Sequence, residues 1–225
     1  MTDSTIIPFT DSIWTMEQPS NFLGVPLGLR MTIIRLTQQQ LIIHSAIPYS
    51  EKNDALIQAL GEVRYLIAPN LEHTRFINEW RQRYPNAQLY APSAVSFDYN
   101  VALEDNNSPL SQHSDLFYLK IDGMPRLQEF VFFHPQSQTL ILTDLAFNLG
   151  KAMSLWGRTF LQLNGAYQRF TPSRILKSMI KDEDAFCNSL QQVQQWDFKQ
   201  IIIAHGTPIT DNAKERFNQA FKWAL

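Results

Sequence analysis

Three observations predict a layered α/β fold for this chain. Short apolar runs rich in Ile, Leu, Val and Phe recur along it, at residues 31–36, 63–67, 129–133, 139–143 and 200–204. Stretches with apolar residues at helical spacing lie between several of them. Hydrophobic residues are 44% of the 225 and charged residues 18%, below the roughly 25% typical of globular domains, so a sizeable core can form. Buried strands with helices outside them make an α/β layered protein. One domain is the natural reading of this length, with two small halves as the alternative.

Taken in order, residues 6–16 read as a first strand, strongest at Ile13 and Trp14. The segment Pro19–Gly28 holds two prolines and two glycines and reads as a loop. Residues 31–36 and 41–45 are apolar runs joined by Thr37-Gln38-Gln39-Gln40, which predicts a hairpin. Ser50 can cap a helix through Leu60, with Ala55, Leu56 and Leu60 as its apolar residues and Gly61 ending it. Residues 63–67 form a strand that runs into the turn Ala68-Pro69. Phe76, Ile77, Trp80 and Tyr84 then predict a helix from His73 to about Tyr84, with Asn70 as N-cap and Glu72 in the first turn. Pro85-Asn86 turns the chain into a strand at 87–90.

Residues 92–115 have no clear period and hold the turn-like Asn106-Asn107-Ser108-Pro109. Strands follow at 117–121, 129–133 and 139–143, the last two joined by residues 135–138. From Leu145 to about Gln195 the pattern is helical, broken at Thr171-Pro172-Ser173, with Pro172 or Ser173 opening the second part. Residues 200–204 are a continuous apolar strand ended by His205-Gly206-Thr207-Pro208. Asp211 or Asn212 caps a final helix to Trp223.

Composition narrows the function. Nineteen Lys and Arg face 21 Asp and Glu, for a net charge of -2, and no basic run marks a nucleic-acid partner. The single cysteine, Cys187, forms no intramolecular disulfide, which fits a reducing compartment. Residues 1–5 lack the basic region and apolar core of a signal peptide, and no apolar run reaches the ~20 residues of a membrane span. The expectation is a cytoplasmic protein with no membrane partner. Glycine-rich phosphate loops and Gly-x-Ser-x-Gly elbows are absent from the sequence. Cys187 has no histidine nearby in sequence to activate it.

Metal chemistry is the better fit. Glu72 and His73 follow one predicted strand, Asp144 a second and His205 a third. Strand ends can bring such ligands together although they are far apart in sequence. Each has a plainer role too. Glu72 can serve a helix N-terminus, His73 can cover apolar surface, Asp144 can cap, and His205-Gly206 can be a tight turn. His44 and His134 read as structural and His113 as exposed. Glu129 either faces solvent or enters the crevice. Arg158, Arg169 and Arg174 are solvated, paired, or available to an anionic substrate.

The arrangement resembles the metallo-β-lactamase superfamily, whose first motif is His-x-His-x-Asp-His. The matching stretch is Ala68-Pro69-Asn70-Leu71-Glu72-His73. Ala68 and Asn70 stand for the first two histidines, Glu72 for the aspartate, and His73 is kept. The mid-chain histidine would fall near Gly123-Met124-Pro125-Arg126, where none stands. Thr143-Asp144 resembles the metal-bridging aspartate, and Ala204-His205-Gly206 the terminal histidine. The chain is most similar to a branch with the pattern Ala-Pro-Asn-x-x-His, Glu-x-x-Phe-x-His, Leu-Thr-Asp-Leu and Ala-His-Gly.

The resemblance implies a four-layer αββα sandwich over residues 1–225. The ligands of one metal are lost. Those of the other survive as Glu72, His73, Asp144 and His205, a set for one Zn²⁺, Fe²⁺ or Mn²⁺. Glu72 or Asp144 then serves as catalytic carboxylate of a single-metal hydrolase of an ester, amide or phosphoester. The alternative is a metal-free, non-catalytic member that binds a ligand or protein partner. Substrate and oligomeric state stay open.

Overall fold

The computed structural model describes residues 5–98, 100–150 and 154–225. Most of the N-terminal stretch 1–5, and residues 151–153 of the stretch expected to be helical, lie outside the described residues. No helix among the described residues is long and apolar enough to cross a membrane.

The chain opens with β1 (Ile7–Pro8) and β2 (Ile13–Gln18). The expected loop carries a small hairpin, β3 (Asn21–Phe22) and β4 (Val25–Pro26). β5 (Leu29–Arg35) and β6 (Gln40–His44) form the expected antiparallel hairpin around a 3-10 turn at Thr37–Gln39. Ser50 caps α1 (Glu51–Gln58), its hydroxyl accepting the Asn53 N–H. The buried face of α1 is Asn53, Asp54 and Ile57, so the apolar Ala55 and Leu56 point outward. Polar anchoring decides this. The buried Asp54 carboxylate accepts from Gln58 (2.9 Å), Arg83 (2.5 Å) and the Tyr84 hydroxyl, which ties α1 to the next helix.

β7 (Glu62–Ile67) follows, then α2 (Ile77–Arg83), β8 (Gln88–Ala91) and β9 (Asn100–Ala102). The second half holds β10 (Phe117–Lys120), β11 (Phe130–His134) and β12 (Thr139–Ile141). The stretch from Leu145 is not purely helical. β13 (Phe147–Leu149) and β14 (Arg169–Thr171) pair antiparallel and flank α3 (Leu155–Leu163). Of the two residues expected to open the next helix, Ser173 caps α4 (Arg174–Ser178), and a separate α5 (Glu183–Gln194), capped by Asp182, follows where one helix was expected. β15 (Gln200–Ile202) and α6 (Ala213–Phe221) close the chain. Asn212 precedes α6 with left-handed φ of 49° and makes no side-chain cap bond.

The chain divides into two compact units, Met1–Gln18 with Leu29–Leu116, and Pro19–Gly28 with Phe117–Leu225. The first unit holds a seven-stranded sheet in the order β1-β2-β5-β6-β7-β8-β9. Its strands are antiparallel up to β6 and parallel from β6 to β9. His44 therefore pairs with Ile67, and Ile67 with Tyr90, so the residues after β6 and β7 emerge at one sheet edge. Its core gathers Met16, Met31, Ile33, Ile43, Leu66 and Trp80, whose indole N–H donates to the Ile47 carbonyl at 2.7 Å.

The second unit holds a sheet in the order β10-β11-β12-β15. β12 and β15 run parallel, Ile141 beside Ile202, which sends Asp144 and His205 off the same edge. Phe186, Leu190, Val193, Phe198, Phe217 and Phe221 of the helical side pack against Leu140, Leu142, Ile201 and Ile203. At about 25 cal/mol per Å², burial on this scale is the main term holding such a unit together.

Candidate metal centre

In the first unit, β7 is followed by the wholly buried Ala68 and Asn70. Asn70 does not cap α2. Its side-chain carbonyl accepts the N–H groups of Glu72 (3.0 Å) and His73 (2.8 Å), closing a local turn. That turn delays the helix to Ile77, four residues later than expected, because asparagine offers the backbone a bonding pattern that competes with helix. It also aims His73. Glu72 is exposed.

His73 Nδ1 lies 2.7 Å from Ser45 Oγ, which itself donates to the Arg30 carbonyl at 3.1 Å. A hydroxyl has one proton. With that proton given to Arg30, a neutral His73 donates from Nδ1, the tautomer whose lone pair is on Nε2. Ser45 was not singled out from sequence. Its signal was its position directly after β6, whose parallel neighbour β7 leads to His73. Next to it, His44 is 1% exposed, and burial first, then the charge of His73, lower its pKa to about 3.

The second unit supplies Asp144 and His205. His205 Nε2 is 3.2 Å from Asp144 Oδ1. Its Nδ1 is 2.6 Å from the Gly28 carbonyl, an acceptor only, so the proton of a neutral ring sits on Nδ1. Phe147 stacks on the ring at 5.6 Å and 17°. Gly206 is required where it stands. Its φ is +99°, and a Cβ there would be 2.3 Å from the Asn148 backbone oxygen. The Asn148 N–H donates to the His205 carbonyl at 3.4 Å, which fixes the strand end further.

Glu129 underlies Asp144. Sequence left it open between solvent and crevice; it is wholly buried. Its carboxylate accepts the N–H groups of Thr143 (2.8 Å), Asp144 (2.9 Å) and Leu145 (3.1 Å). One side chain thus shapes the turn that presents Asp144. Burial pushes the Glu129 carboxyl up, to about 8, and the Asp144 charge adds to this, while the three N–H donors pull the other way. His134 is structural as expected, buried with Nδ1 2.8 Å from Ser137 Oγ. His113 departs from expectation: it is partly buried, edge-on to Tyr65 at 6.2 Å.

The donor chemistry suits a cation. Both histidines set Nδ1 against an oxygen, and in the neutral Nδ1–H tautomer that this suits, Nε2 has the lone pair a metal-ligating imidazole needs. A neutral His205 turns that lone pair toward a carboxylate oxygen, a contact that is favourable only if a cation is shared or the ring is protonated.

Several solved structures share this fold. A metallo-β-lactamase from Pontibacter korlensis superposes with a TM-score of 0.67 at 10% identity, covering 98% of this chain and 99% of that one. A metallo-β-lactamase from Erythrobacter litoralis with β-mercaptoethanol in the active site gives 0.66 at 11%, covering 99% and 98%. The metallo-β-lactamase FIM-1 from Pseudomonas aeruginosa in its mono-zinc form gives 0.62 at 14%, covering 99% and 96%. The chain therefore has the metallo-β-lactamase fold, and the α/β class expected from sequence holds. A search of curated proteins finds no match. Residues 10–154 match the model of a domain of unknown function, DUF4336, and the chain belongs to that family.

Proposed function

We propose that the chain binds one divalent transition metal through His73, Asp144 and His205 and hydrolyses an ester, amide or phosphoester bond. The observation that carries the reading is the place of the two Nδ1 atoms, 2.7 Å from Ser45 Oγ and 2.6 Å from the Gly28 carbonyl, which suits the Nδ1–H tautomer of a metal-ligating imidazole. Asp144 and His205 stand together in the second unit, and His73 follows β7 in the first. Asp144, directly against His205, supplies the anionic oxygen. When bound, such an ion polarises the scissile group and makes water acidic enough to react near neutral pH. Asp144 would be the carboxylate that orients that water and takes its proton. Glu72 is exposed; its proposed part is to take a proton during turnover.

One observation favours the other reading, a metal-free member that binds a ligand or partner. His205 and Asp144 at 3.2 Å are close enough to be a self-contained ion pair. Chromogenic ester, amide and phosphoester substrates decide between them. Chelator-treated protein should be inactive, regain turnover with one equivalent of Zn²⁺ or Mn²⁺, and lose it again as Asp144→Asn. Metal-independent silence on all three classes, with no metal bound, would support the ion pair.

Ser45 gives a sharper test of the tautomer argument. Ser45→Ala removes the acceptor that fixes His73, and metal affinity should fall about 10- to 100-fold, the usual effect of a lost outer partner. Competition with a metal-binding dye measures it. Unchanged affinity would remove the argument for His73.

A further inference from the structure

We propose that the face formed by α3 and the β3–β4 hairpin seats the protein on an anionic phospholipid surface. Five large apolar side chains stand exposed there: Leu155 (82%), Leu163 (64%), Trp156 (54%), Leu23 (65%) and Phe22 (46%). They belong to one assembled surface. The Trp156 indole donates to the Leu23 carbonyl at 2.9 Å, and Phe22 meets Phe160 edge-on at 6.4 Å. At 100° per residue, Leu155, Thr159, Leu163 and Trp156 share an arc of about 100° on α3, while Gly157 and Leu161 point inward. Side chains held outward on an ordered helix and hairpin form a built face, and exposed apolar patches of this kind mark contact sites.

Charge selects the occupant. Between Leu145 and Lys181 the sequence has six cations, Lys151, Arg158, Arg169, Arg174, Lys177 and Lys181, and no aspartate or glutamate, in a chain of net charge -2. Arg158, Arg169, Arg174 and Lys181 are exposed and form no ion pair among the described residues. Tryptophan and leucine in a stretch of chain that carries unpaired arginines and no carboxylate suit the boundary between acyl chains and anionic headgroups. A second copy of this chain fits badly, since it would set cations against cations. The proposal differs from the expectation of no membrane partner, which rested on the lack of an apolar run of about 20 residues and so addressed spanning rather than surface binding. The protein would lie on the bilayer rather than span it, and the proposal is independent of the metal reading.

Sedimentation of the full chain with vesicles tests it. Binding is expected to vesicles of phosphatidylcholine with 30% phosphatidylglycerol, and to weaken at least about tenfold with phosphatidylcholine alone or in high salt. Leu155→Glu with Leu163→Glu changes only exposed positions and should abolish binding at unchanged melting temperature. Arg158→Glu with Arg169→Glu should lower it about tenfold or more by a separate route. Equal sedimentation of the wild type and both double variants would overturn the proposal. So would failure of the wild type to bind, or a wild-type dimer that the leucine variant dissociates.

Discussion

Glu129→Ala is expected to cost about 3–6 kcal/mol of folding stability, because it orphans the N–H groups of Thr143, Asp144 and Leu145 at about 1–2 kcal/mol each. The site is wholly buried, so water cannot easily replace the lost acceptor. Glu129→Gln keeps the shape but sets amide hydrogens against backbone donors. It should cost less stability yet still weaken metal binding, since the turn it distorts carries Asp144. Urea denaturation gives the first quantity and metal titration the second. Full stability in the alanine variant would mean that the turn holds without its carboxylate.

The second large effect is acid sensitivity. The folded pKa of His44, lowered to about 3, lies below the ordinary value of 6.5. Above 6.5 neither state binds the proton, and its contribution to stability is fully present. As pH falls from about 6.5 towards 3, the unfolded chain takes up a proton that the folded chain refuses, and stability is lost. The loss is on the order of 5 kcal/mol at most for a shift of this size. His44→Leu should flatten the dependence of melting temperature on pH in that window. An unchanged slope would assign acid sensitivity to other groups.

The two strand ends of the second unit were legible in sequence because each closes a short apolar run. Asp144 after β12 and His205 after β15 needed only the pattern, and the parallel pairing of those strands brings them together. The start of α2 was misread because Asn70 suits both a helix cap and a tight turn, and the spacing of Phe76, Ile77 and Trp80 does not tell them apart. β13 and β14 were hidden for a different reason. Strands of three residues carry too little period to stand out, and these exist through pairing of Phe147 with Thr171 and of Asn148 with Gly206. The supporting residues were the hardest. Ser45 and Glu129 act through partners 28 and 14–16 residues away, and no local pattern announces such bonds.

The metal content of protein purified without chelator tests the central claim most directly, read together with the melting temperature before and after chelation. One transition-metal ion per chain is expected, because Ala68 and Asn70 cannot supply the imidazoles of a second ion at the ~3.5–4 Å spacing of two-metal centres. Its removal should lower the melting temperature, re-addition of Zn²⁺ or Mn²⁺ should restore it, and His205→Ala should abolish both effects while the chain stays folded. A wild-type protein that carries no metal, whose melting temperature neither metal moves, and which His205→Ala destabilises equally with and without metal would contradict the account.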